Sequence, residues 1–135
     1  ANAREYPDAR VALESLRDRH FRIGVISNVS SHDVASEILL KVGFEDFVDE
    51  LVTSALTGIR KPDPGIFLYA LARMKVKPSD AVHVGDHPVN DVDGAVAAGI
   101  RRTALVLRAD MKILVGSVEP WARLDNLSSI GALFD

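Results

Sequence analysis

The 135-residue chain contains no cysteine. That excludes disulfides, thiolate metal sites and a cysteine nucleophile, and it leads us to expect a cytoplasmic protein. Long apolar runs are also missing. None approaches the ~20 residues that a membrane helix needs, so no membrane partner is expected. The opening residues, Ala1 to Pro7, carry no apolar signal region. Charge of one sign is not in excess either. A net charge of −3 with the signs interspersed gives no electrostatic case for nucleic acid. Internal repeats, low-complexity tracts and long linkers are absent. What remains is a chain with 47% hydrophobic residues, the composition of a globular protein, and long enough for one domain over residues 1–135 with a real core.

The apolar residues alternate between helical and strand patterns. Ala9, Ala12, Leu13 and Leu16 form an i, i+3, i+4, i+7 stripe behind Pro7 and Asp8, which predicts a first amphipathic helix. Ile23–Ile26 reads as a buried parallel strand. Ser30-Ser31-His32-Asp33 fits a capping box before an apolar face of Val34, Ala35, Ile38, Leu39 and Val42, with Gly43 as the stop. Phe44 to Phe47 reads as a turn tucking two rings into the core, and Leu51–Thr53 as a strand. Asp63 as N-cap and Pro64 at the first helical position predict a helix burying Ile66, Phe67, Ala70, Leu71 and Met74. Ala81–Val84 is a strand, Val92–Ala98 a helix and Thr103–Leu107 a last strand. Leu127, Ile130, Leu133 and Phe134 mark a short closing helix. This alternation predicts an α/β domain with a mostly parallel sheet.

The stretch Gly85-Asp86-His87-Pro88-Val89-Asn90-Asp91 follows one predicted strand and precedes a helix. It puts two carboxylates at the C-terminal end of a strand, where open α/β sheets bind ligands. Hard oxygen donors there suit Mg²⁺, which favours one or two carboxylates, waters and a substrate phosphate. A turn with a capping aspartate explains the same residues by themselves. Two further polar clusters stand in comparable places: Ser27-Asn28 after a strand, and Lys61 in the loop before the Pro-capped helix. Parallel topology would bring all three to one edge of the sheet. A hydroxyl, an ammonium and two carboxylates there suit a phosphoryl group, whose chemistry depends on positioning and charge neutralisation. Of the histidines, His83 reads as packed or backbone-bonded, His87 as a bystander, and His20 and His32 as surface or capping residues.

In order and spacing, Val25-Ile26-Ser27-Asn28, then Arg60-Lys61-Pro62-Asp63-Pro64-Gly65-Ile66-Phe67, then Val82-His83-Val84-Gly85-Asp86 with Asp91 resemble the haloacid dehalogenase (HAD) superfamily. The pattern looks like its phosphatases with a helical cap, such as phosphoglycolate phosphatase-like and N-acylneuraminate phosphatase-like proteins. Gly94-Ala95 and Ala98-Gly99 fit as well, and the similarity runs from about Tyr6 to Phe134. The resemblance implies a Rossmann-like core and Mg²⁺-dependent hydrolysis of a small phosphate monoester through an aspartyl-phosphate. Ser27 would hydrogen-bond a phosphoryl oxygen, and Asn28 would shape the same loop. Lys61 would neutralise charge shared by the phosphoryl group and the nucleophile. Asp86 would bind Mg²⁺, and Asp91 would ligate or orient it. A dehalogenase needs no Mg²⁺ and typically lacks this acidic loop, so the resemblance favours a phosphatase. A non-catalytic binding module derived from the fold is the reading from a different class.

The family's Asp-x-Asp-x-(Thr/Val) motif, which supplies nucleophile and general acid/base, does not occur here. Asp91-Val92-Asp93 follows no strand and does not replace it. The resemblance implies a core without its first, central strand and without its helical cap, and little turnover from this chain alone. The strands at Ile23–Ile26 and Ala81–Val84 would then lack their shared neighbour. Three outcomes are expected to compete: the two strands pair directly, another segment completes the sheet, or two copies join edge to edge.

Overall fold

In a computed structural model, residues 7–107 and 116–135 are described. Helix α1 (Pro7–Asp18) leads into strand β1 (Gly24–Ser27), helix α2 (His32–Val42) and strand β2 (Glu50–Thr53). A short helix α3 (Ser54–Thr57) and a loop come before helix α4 (Pro64–Met74) and a 3-10 turn at Pro78–Asp80. Strand β3 (Val82–Gly85) then runs into a π-helical segment (Pro88–Asp93) that continues as α5 (Gly94–Ala97). Strands β4 (Arg102–Val106) and β5 (Ala122–Leu124) and a closing 3-10 helix (Leu127–Phe134) complete the fold.

The helix ends obey local chemistry. The Ser31 hydroxyl accepts a hydrogen bond from the Val34 amide at 3.2 Å, and Gly43 ends α2 in the left-handed region at φ +77°. Asp63 accepts from the Gly65 amide at 2.8 Å, with Pro64 opening α4 as its sequence predicts. One boundary moves. The helix expected from Val92 begins at Pro88, because the His87 ring caps it: Nδ1 accepts from the Val89 and Asn90 amides at 3.2 and 3.1 Å. Asp91 therefore sits within a helical turn and not on the loop.

Every strand pair is parallel, as expected, but the strands form two ladders, β1–β2 and β3–β4–β5. β1 and β3 do not pair, which removes direct closure from the three expected outcomes. Thr103–Leu107 is not the last strand, since β5 adds to its far edge.

Two apolar clusters hold the layers. Val52, Ile66, Phe67, Ala70, Ala95, Ala98 and Ile100 join β2, α4 and α5 on one side. On the other, Ala12 of α1 packs with Ala104, Val106, Leu124 and Ile130. α4 touches both β1 and β2 as well as α5, so it bridges the two ladders. Gly94 permits that approach, since a Cβ there would stand 2.8 Å from the Phe67 ring. Leu71 and Met74 of α4 are only half-buried, and the apolar face of α2 buries no residue at all. The Phe44 and Phe47 rings are likewise half-buried and not in the core. They meet edge to face at 6.5 Å beneath the Arg10 and Arg17 guanidinium groups, a surface arrangement in which cations cover the rings.

Candidate active site

Three of the polar residues singled out, Asn28, Lys61 and Asp91, form one connected chain of contacts that His83 joins; Ser27 and Asp86 stand outside it. At the end of β1, the Asn28 carboxamide takes hold of both backbone groups of Lys61. Its oxygen accepts from the Lys61 amide at 2.8 Å, and its nitrogen donates to the Lys61 carbonyl at 3.0 Å. The Lys61 ammonium in turn reaches Asp91 Oδ1 at 2.7 Å. Asp91 Oδ1 also lies 3.0 Å from His83 Nε2 on β3. Side chains and one loop thus link β1 to β3 where the backbone ladder does not.

Asp91 is the centre of this chain. Its side chain is nearly buried, and its second oxygen, Oδ2, accepts from the His87 amide at 3.1 Å. Burial alone would push its pKa up. The His83 hydrogen bond and charge, together with the charge and hydrogen bond of Lys61, outweigh burial and bring it down to about 2. Asp91 is a carboxylate at neutral pH. Gly85 makes room for it: a Cβ there would sit 2.2 Å from Asp91 Cγ.

Asp86 differs in every respect. It is exposed, and its carboxylate has no hydrogen-bond or ion-pair partner among the described residues. The Ser27 hydroxyl, at the C-terminal end of β1, has none among them either. Among the described residues no three His, Asp or Glu side chains gather into a metal cage. The donor set is one available carboxylate, Asp86, with Asp91 engaged by protein donors. That set fits a hard cation that keeps most of its waters and not an all-protein cage.

The sequence and the fold of the chain have counterparts in other proteins. The haloacid dehalogenase-like hydrolase family matches residues 1–99. The chain belongs to that family. A glyceraldehyde 3-phosphate phosphatase from Methanopyrus kandleri is 39% identical over 101 residues, covering 74% of this chain and 42% of that protein. The solved structure of a HAD phosphatase from Thermococcus onnurineus gives a TM-score of 0.83 at 29% identity, over 96% of this chain and 57% of that one. A 2-haloacid dehalogenase from Pseudomonas syringae gives 0.81 at 34% identity, over 97% and 53%. The chain spans about two fifths of the length of the curated relatives it matches.

His83 is the residue that reading the sequence undervalued. It is packed, edge-on to Phe67 at 4.8 Å, as expected of a strand residue, but its polar partner is a carboxylate and not the backbone. A signal was available. His83 and Gly85 share one face of β3 through the two-residue period, and a glycine there leaves that face open to a side chain. Asp91 fills the opening and meets the histidine. His87 is likewise more than a bystander, since it caps the helix that carries Asp91.

Proposed function

We propose that this chain carries the phosphate-handling part of a Mg²⁺-dependent phosphatase that hydrolyses a small phosphate monoester. The observation that carries the reading is the Lys61–Asp91 pair at 2.7 Å, together with an exposed Asp86 just past β3 that has no partner among the described residues. Lysine has three donors, and Asp91 takes one of them. The others are free to hold phosphoryl oxygens and neutralise their charge. The Ser27 hydroxyl donates to another phosphoryl oxygen. Asn28 serves by fixing the Lys61 backbone, and so shapes the loop that binds phosphate. Asp86 holds the Mg²⁺, and Asp91 orients that side of the site from behind. When bound, Mg²⁺ supplies charge neutralisation for the phosphoryl group. Charge placed in advance in this way is the main contribution a protein makes to phosphoryl transfer.

The chemistry also needs a nucleophile, in this family an aspartate that forms an aspartyl-phosphate. No Asp-x-Asp-x-(Thr/Val) motif stands in the sequence. The 135-residue chain therefore binds Mg²⁺ and inorganic phosphate but turns over little or no substrate by itself. Titration calorimetry with Mg²⁺ and phosphate, alongside an assay on a panel of small phosphate esters, tests both parts. Binding that disappears in Asp86→Ala supports the reading. Robust Mg²⁺-dependent turnover by the purified chain, lost in Asp86→Ala, would overturn the claim that the nucleophile lies elsewhere.

The likeness to a 2-haloacid dehalogenase favours a second reading, halide release from a small haloacid. That chemistry needs no divalent cation, so the Mg²⁺ titration separates the two. A binding module derived from the fold is the third outcome, distinguished by phosphate affinity that is indifferent to Mg²⁺.

A further inference from the structure

His83 occupies an uncommon position: a histidine on a strand, mostly buried, with one ring nitrogen directed at the carboxylate that also holds the site lysine. Asp91 Oδ1 takes both contacts, Lys61 Nζ at 2.7 Å and His83 Nε2 at 3.0 Å. Asp91 Oδ2 is fixed by the His87 amide at 3.1 Å. The carboxylate is thereby held at both oxygens, and its plane cannot turn without losing one of the three donors. A carboxylate offers only acceptors, so Nε2 must carry the proton in this contact. Phe67 stacks edge-on to the same ring at 4.8 Å and sets its tilt. The other charged group facing the ring's partner is Lys61, and the neutral His87 backbone amide is the third donor to it.

We propose that His83 is a positioning residue: through Nε2–H it holds Asp91 Oδ1 in place, and through Asp91 it keeps the Lys61 ammonium aimed into the site. The role rests on the reading that Lys61 meets a phosphoryl group. Its geometry, however, is independent of that reading and is tested separately.

Two substitutions separate the proton donor from the ring. His83→Gln keeps an N–H donor close to the position of Nε2 and loses the aromatic edge. His83→Phe keeps the edge against Phe67 and loses the donor. The readout is acetylation of Lys61 by acetic anhydride, followed by mass spectrometry and compared with the other lysines. Losing a charge-assisted hydrogen bond loosens the pair by a factor on the order of ten. The expected result is that Lys61 labels about tenfold faster in His83→Phe and close to wild type in His83→Gln. The opposite pattern, fast in Gln and slow in Phe, would show that the ring matters and not the donor, and would overturn the proposal. So would equal rates in all three proteins.

A measurement on the unaltered chain covers the case in which the variants do not fold. Long-range ¹H–¹⁵N spectra of the wild type report the tautomer of His83, and a protonated Nε2 is required. A bare Nε2 with the proton on Nδ1 would overturn the assignment. Binding of inorganic phosphate with Mg²⁺, measured on the same three proteins, is expected to weaken in Phe and to be rescued in Gln. If the wild type binds no phosphate while the labelling pattern holds, the positioning role is supported and the phosphatase reading falls.

Discussion

Helices α2 and α4 are the same length, eleven residues each, and both are capped at either end. Their fates differ. α4 buries Ile66, Phe67 and Ala70 against both ladders, whereas α2 buries nothing and leaves Val34 53%, Ile38 41% and Leu40 57% exposed. Caps and periodicity decide that a helix forms and where it ends; its neighbours decide what it is worth. α4 has β1, β2 and α5 beneath it. α2 touches only β2 and α3 to any extent and, with β1, lines an open groove of 520 Å³ that includes Val25, Val29, Val34, Ala35, Ile38 and Leu39; β1 has no second strand partner among the described residues. The site is built on the well-packed half, where α4 and β3 bring Phe67, His83 and Asp91 together.

The largest expected effect breaks the packed half. Phe67 is fully buried, so Phe67→Ala should cost about 3–5 kcal/mol, enough to unfold much of the population. Urea denaturation followed by circular dichroism measures it. A cost under about 1 kcal/mol would mean that α4 is not the bridge between the ladders.

Next is Gly85→Ala. A methyl group there collides with Asp91 Cγ at 2.2 Å, and neither the strand backbone nor a carboxylate held at both oxygens yields easily. The expected loss is about 2–4 kcal/mol, by displacing Asp91 and leaving Lys61 unpaired. Phosphate binding should vanish in parallel. Retained binding with an unchanged midpoint would show that Asp91 is not where the Lys61 contact puts it.

Much of this was legible beforehand, for reasons that can be assigned. Ser31, Gly43, Asp63 and Pro64 announce helix ends because capping is chemistry between near neighbours. Parallel topology predicted that Lys61 and Asp91 would meet, and they do, at 2.7 Å. What escaped depends on contacts between residues far apart in sequence or on side-chain geometry. The start of the helix at Pro88 is set by an imidazole acting as cap, a role more often taken by Ser, Thr, Asp or Asn. The division of labour between Asp86 and Asp91 is invisible to spacing. It arises because Lys61, from thirty residues earlier, reaches only one of them. The exposure of α2 escaped for a similar reason, since an apolar stripe says which face prefers burial and not whether anything covers it.

A smaller effect distinguishes the site electrostatically. Asp91 has its folded pKa lowered from 3.8 to about 2, so it contributes stability above its unfolded value. That contribution is fully present above about pH 4 and lost as the pH falls towards 2, with a size of about 2 kcal/mol. Asp91→Asn should be less stable than wild type at pH 7, and the gap should narrow between pH 4 and 2. Stability curves for the two proteins that stay parallel through that window would remove the ionised pair from the account.

The smallest expected effect on folding lies on α2. Ile38 is 41% exposed, and Ile38→Ser should change stability by less than about 1 kcal/mol. The same substitution bears on association much more. Edges of β1 and β3 that no described strand covers, with an apolar helix face on α2, invite pairing with another strand or another copy. Sedimentation over a range of concentrations should show the wild-type chain self-associating and Ile38→Ser doing so less. The two helices then differ in kind: a change in α4 is read as unfolding, and a change in α2 as a shift between monomer and assembly. A wild-type chain that sediments as a monomer at every concentration, with the β1 and β3 amides still exchanging freely, would leave α2 merely uncovered.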